Sequence, residues 1–132
     1  MMGNNMYGPV GFTTIARCIL WPYMTDTTTD VERFDGAPAA VAERAMLSLP
    51  VSAQQIQLEH DPPMGELVQL AMRLPQAHLH GYIVAPSRDD EWLHLHSLCW
   101  VARPEPLPEL LATYMPASFD TDDDGWIHVW WH

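Results

Sequence analysis

The sequence predicts a single α+β domain: a mostly antiparallel sheet of three to five strands with about three short helices packed on one face. Three observations lead there. Apolar residues make up 48% of a 132-residue chain, enough for one hydrophobic core in a chain the length of one ordinary domain. Two alternating stretches, residues 77 to 85 and 92 to 101, flank the polar turn "PSRDDE" and read as a β-hairpin. Runs of good helix formers are cut off by proline, of which there are 12, so the elements are short. No internal repeat, linker or low-complexity segment divides the chain, and residues 1–132 are taken as one domain.

Residues 1 to 11, rich in Gly, Asn and Met without a period, are expected to form a loose arm. Residues 12 to 21 are β-branched and apolar and are closed by Pro22; they read as a strand, with a short helix as the alternative. Residues 25 to 36 are Thr- and Asp-rich and read as a loop. In "APAAVAERAMLSLP", Pro38 stands at a first-turn position and Pro50 is a stop, so the segment predicts a helix over 38–49. Val41, Ala42, Ala45, Met46 and Leu49 share one stripe of it, as core packing requires. "QQIQLEH", residues 54 to 60, alternates Ile56 and Leu58 with polar residues and reads as an edge strand. Asp61-Pro62-Pro63 supplies an N-cap and first turn for "MGELVQLAMRL", a second helix ended by Pro75. Residues 107 to 115, opened by Pro108-Glu109 and closed by Pro116, form a third, shorter helix, and 126 to 131 a last strand entered through Asp124-Gly125.

Charge narrows the function classes. Seventeen acidic residues face six arginines and no lysine, a formal net charge of -11. Such a field repels phosphate, which argues against direct binding to DNA, RNA or an anionic membrane, and it attracts a basic partner. From residue 104 onward there are six carboxylates and no arginine. A solvated acidic surface that serves only solubility is the alternative. The apolar run around residues 15 to 22 is about half a membrane span and contains Arg17, and no secretion signal is visible, so a cytoplasmic setting is expected. Cys18 and Cys99 are then two reduced thiols.

The hairpin carries two His-x-His pairs. Side chains alternate along a strand, so His78, His80 and Tyr82 share one side, as do Trp92, His94, His96, Leu98 and Trp100. With both apolar sets turned to the core, paired residues must sum to an even number. His80 then faces His94 across a five-residue loop, or Tyr82 faces His94 across a three-residue one. Either register puts all four imidazoles on one side and sends Cys99 into the core, away from them. The last strand repeats the pattern with Trp126, His128 and Trp130.

Three readings compete for this side of the sheet. His78, His80, His94 and His96, with His128 as a further ligand, suit zinc or another transition metal such as nickel, copper or iron, with Asp90 and Glu91 as the nearest acid or base. Tyr82, Trp92, Trp100, Trp126 and Trp130 suit a partner-binding surface, since amphipathic aromatics dominate interface hot spots. Burial in a second small core is the third. The segment "DTDDDGWI", residues 120 to 127, resembles the start of an EF-hand calcium loop, with Asp120, Asp122 and Asp124 as oxygen ligands and Gly125 at the sharp turn. The glutamate that motif needs falls on Trp131, and a strand follows where a helix belongs, so a solvated acidic turn is the default. With Asp123, the same carboxylates can anchor a partner's basic side chains. There is no Gly-rich phosphate loop, nucleophile elbow or Cys-x-x-Cys.

These features predict a small acidic binding protein that docks on a basic, nucleic-acid-handling protein and inhibits or regulates it. In physical character alone, that is the role of immunity, anti-restriction or anti-CRISPR proteins. The alternatives are a metal-binding module or metal-dependent enzyme built on the four histidines, and a structural subunit of a homo-oligomer.

Overall fold

The computed structural model describes residues 3–56, 61–101 and 108–131. Its centre is an antiparallel sheet of six strands in the order β3-β4-β5-β6-β8-β7, one strand more than the upper expectation. The strands are β3 (Met24–Asp26), β4 (Val31–Pro38), β5 (His78–Val84), β6 (Trp92–Val101), β7 (Ser118–Thr121) and β8 (Trp126–Trp130). A two-stranded ribbon, β1 (Asn4–Asn5) with β2 (Gly8–Pro9), precedes it. Five helices are described, three of them longer than one turn: α1 (Thr14–Leu20), α2 (Ala39–Leu47) and α4 (Met64–Arg73), with α3 (Val51–Gln54) and α5 (Leu110–Thr113) as single turns. No described helix is long and apolar enough to cross a membrane.

α2 and α4 form where the proline-bounded runs place them. Ala42, Ala45 and Met46 of α2 are buried, as are Leu67, Val68, Leu70 and Ala71 of α4, so each turns one stripe inward. They pack with Ala16 and Leu20 of α1 on Leu79, Ile83, Leu93, Leu98, Ile127 and Val129 of the sheet, forming one continuous core on one side. A fully buried Leu or Val contributes about 1.5–3 kcal/mol there.

Several expectations are corrected. Residues 12 to 21 hold a helix, α1, instead of a strand. Its buried residues, Ala16 and Leu20, are four apart, a helical spacing, and Pro22 sits in the first turn of the 3-10 helix Trp21–Tyr23 that follows. Residues 25 to 36 hold β3 and most of β4 instead of a loop. Their polarity misleads because Glu32 takes an inward position beside Phe34 and Ala37 and is only 6% exposed. Arg17 of α1 makes this tolerable, its Nε donating to Glu32 Oε1 at 2.6 Å and its Nη2 to Oε2 at 2.9 Å.

Gln54 closes α3 and does not open an edge strand; residues 57 to 60 of that expected strand lie outside the described residues. Asp61 does not cap α4, whose N-cap is Pro63; it is buried, with Oδ2 3.5 Å from His94 Nε2. The helix expected over 107–115 shortens to α5, and residue 107 lies outside the described residues.

Residues 3 to 11 are not a loose arm, because one buried carboxylate holds them. Glu91, 0% exposed, ends the connection from β5 to β6. Its Oε1 accepts from Asn5 Nδ2 at 2.7 Å and from the Gly11 N–H at 2.9 Å. Its Oε2 accepts from the Thr13 N–H at 3.0 Å and the Thr13 hydroxyl at 2.6 Å. Burial alone pushes Glu91 up, but these donors outweigh it and hold the carboxyl below its ordinary value.

Replacing Glu91 with Ala strands four donors and is expected to cost about 3 kcal/mol or more, read by urea denaturation at neutral pH. Because the folded value lies below the unfolded one, the clasp is fully stabilising above the ordinary value of 4.5 and is lost as pH falls through the folded value. Thermal melts between neutral and acid pH should show this loss in the wild type. In E91Q that component should be absent.

Candidate functional site

The side of the sheet away from the core is set by a bulge in β6. Near the hairpin end, Val84 pairs with Trp92, Ile83 with Leu93 and Tyr82 with His94, the even-sum register. The register then slips by one: Gly81 faces Leu95, but His80 faces Ser97, Leu79 faces Leu98 and His78 faces Cys99. His96 is the extra residue. Gly81 is required at the slip, since a Cβ there would run into the His94 carbonyl oxygen and come within 2.9 Å of the Phe34 ring.

Beyond the bulge the two sides of β6 exchange. Leu98 and Trp100 turn into the core against Val129 and Ile127. Trp100 is 4% exposed, so it does not belong to the binding surface to which its position in the alternation assigned it. Cys99 makes the opposite move. It lies in a cross-sheet row with His78 on β5, His128 on β8 and Asp120 on β7, on the side of the histidines and not in the core.

The other expected residues do come together. Trp92 and His94 rings lie 4.6 Å apart, Tyr82 and His94 5.0 Å, Tyr82 and His96 6.0 Å, and His94 and His96 6.2 Å. His96 stacks on Trp130 at 5.7 Å, and His78 stacks on Trp126 at the same distance. The result is a nearly continuous band of imidazole and aromatic rings across three strands. Its hairpin end is buried, with Trp92 6% and His94 4% exposed, while Trp130 at the far end is 51% exposed. Trp92 Nε1 and His96 Nδ1 are buried without a hydrogen-bond partner among the described residues, so the band is held by packing more than by polar contacts.

The imidazoles are engaged individually. Among the described residues no three His, Cys, Asp or Glu side chains are grouped to hold a metal ion. His80 Nδ1 accepts from the Gly36 N–H at 3.0 Å, which leaves the proton of the neutral ring on Nε2, 3.6 Å from Cys99 Sγ. Asp35 Oδ1 is 3.3 Å from the same Nδ1. Burial holds His80 below its ordinary value despite the pull of Asp35, and burial does the same at His96. Both rings are therefore neutral at neutral pH.

The two acids next to the hairpin turn are not available as a base for this site. Glu91 is the clasp described above, and Asp90 accepts from Arg88 Nε at 2.9 Å and Nη2 at 2.8 Å.

In the acidic turn between β7 and β8, Asp122 Oδ1 accepts from the Asp124 and Trp126 N–H groups at 3.0 Å each, and Oδ2 meets His128 Nε2 at 3.1 Å. Gly125 supplies the positive φ of 84° that closes the hairpin. Asp122 is thus spent on the turn; Asp120 stands exposed opposite His128, and Asp123 and Asp124 are exposed in the turn itself.

Two residues were missed for different reasons. Cys99 was misplaced because an unbroken alternation hides a bulge. Tyr7, whose ring lies 5.7 Å from Trp92, sits in a segment with no periodicity to place it.

No family model matches the chain, no curated protein matches it, and no solved structure matches it.

The His80 geometry decides what Cys99 can do. His80 presents a donor to the sulfur, not a base, and burial pushes the Cys99 thiol up, so it stays protonated at neutral pH. Cys18, by contrast, is exposed. One thiol per native chain, Cys18, is expected to react quickly with a thiol reagent such as Ellman's reagent, and Cys99 only in denaturant. Rapid labelling of Cys99 in the native C18S variant would contradict this.

Proposed function

We propose that this protein is a binding protein, which docks the ring band and its acidic margin on a basic protein surface and inhibits or regulates that protein. The observation that carries this reading is the exposed end of the band. Trp130 stands half out of the surface, stacked on His96, with Asp120 exposed on the neighbouring strand and Asp123 and Asp124 exposed in the β7–β8 turn at the other end of β8. An aromatic anchor bounded by charge of one sign is the anatomy of an interface hot spot facing a basic partner.

A net charge of -11 steers such an encounter and opposes self-association, which favours a different partner over a second copy. Carboxylates presented this way can occupy a site built for phosphate. A nucleic-acid-handling protein is therefore the partner class proposed, with immunity, anti-restriction and anti-CRISPR proteins as roles of that kind. The metal-centred alternative gains no support from the described side chains, whose imidazoles are paired with rings, backbone and carboxylates one at a time.

The test is capture from host extract at physiological salt with the wild type, W130A and a D120N/D123N/D124N variant. Expected is a basic protein held by the wild type, weakened about 30-fold by W130A, which corresponds to about 2 kcal/mol, and lost by the triple variant as salt rises. Capture unchanged in both variants, or none at all, would overturn the reading.

A further inference from the structure

A second feature lies at the opposite end of the same side, where the arm meets the hairpin. A cavity of about 360 Å³ opens there between Tyr7, Tyr82 and Trp92, over Val31 and Val84. Its floor follows from the register, since Val31, Val84 and Trp92 form one cross-strand row and Tyr82 stands in the next. The Tyr7 and Trp92 rings meet at 43°, an open angle and not a closed stack. Arg88 and Asp90 make the rim.

The charge of that rim points to one kind of ligand. Arg88 is held bidentately by Asp90, and its Nη1 lies 3.8 Å from Asp30 Oδ1, so its charge is already committed. Two carboxylates, Asp90 and Asp30, thus face one guanidinium, and the charge at this edge of the cavity is net negative. An anion is repelled, and a neutral ligand gains nothing from the rim. An alkylated ammonium gains from both, because the faces of Trp and Tyr attract a cation and the carboxylates reinforce them. The volume sits at the small end of the range for ligand sites, about 300–1,000 Å³.

We infer that the cavity formed by Tyr7, Tyr82 and Trp92 is an aromatic cage for an alkylammonium head group, carried by a free small molecule or by a lysine side chain of a partner. It does not depend on docking at the β7–β8 margin: Tyr82 and Trp92 also belong to the band, but no residue of β7, β8 or their turn lines the cavity.

The test is a calorimetric titration of the full chain with three probes: choline, the acetyl amide of Nε-trimethyl-lysine, and 3,3-dimethylbutan-1-ol, the neutral isostere of choline. Expected is saturable binding of at least one cation, with the neutral isostere at least about tenfold weaker. The tighter of the two cations names the source. Y7A and, as a second wall, Y82L should each weaken it about tenfold while keeping the wild-type circular dichroism. Equal binding of the isostere, no saturation by either cation, or full affinity retained in both folded variants would overturn the inference.

Discussion

The sheet beyond the hairpin end of β5 and β6 takes its shape from one extra residue in a ladder. β6 is long enough to serve two partners, β5 along its whole length and β8 along its second half. An unbroken alternation cannot give both halves the right inward residues, because the inward set changes from Leu93 and Leu95 to Leu98 and Trp100. The bulge at His96 makes the change possible, and Gly81 gives the opposing strand room for it. From that single slip follow the burial of Trp100, the emergence of Cys99 among histidines, and the stacking of His96 on Trp130.

Polarity is divided between the two sides in an unusual way. The core side takes in an acid, Glu32, and neutralises it with Arg17 from the helix above, while the outward side takes in rings. Imidazoles and indoles suit a side of the sheet that is buried at one end and open to water at the other. They hydrogen-bond water when free, stack when dry, and carry little desolvation cost compared with ammonium or carboxylate groups. Carboxylates cluster at the two ends, Asp120, Asp123 and Asp124 at one and Asp30 and Asp90 on Arg88 at the other, while Asp35 and Asp61 stand within the band beside His80 and His94.

How much of this was legible in the sequence varies with the physical signal. Proline-bounded helices α2 and α4, the β5–β6 hairpin and β8 were legible because periodicity and punctuation agree there. β4 was not, because a strand that buries a glutamate loses its pattern unless the paired arginine is known to be near. α1 was misread because β-branched and apolar residues over so short a run fit either period. At the site, the shared side of His78, His80, His94, His96, Trp126 and Trp130 could be read from alternation. Trp100 and Cys99 could not, since a bulge leaves no mark in one sequence. Tyr7 and Asp61 reach the band through the fold alone.

The Glu91 clasp has a consequence for the order of events in folding. It joins residues 78 to 86 positions apart, so closing that loop costs on the order of 4 kcal/mol of chain entropy before any of its bonds exist. The carboxylate is fixed only when the β5–β6 connection has formed, so the arm joins late on the folding route. An arm held through one carboxylate can open as a local unit, without the sheet coming apart. Each such opening carries Tyr7 away from Trp92, so the cavity keeps that wall only while the clasp is closed.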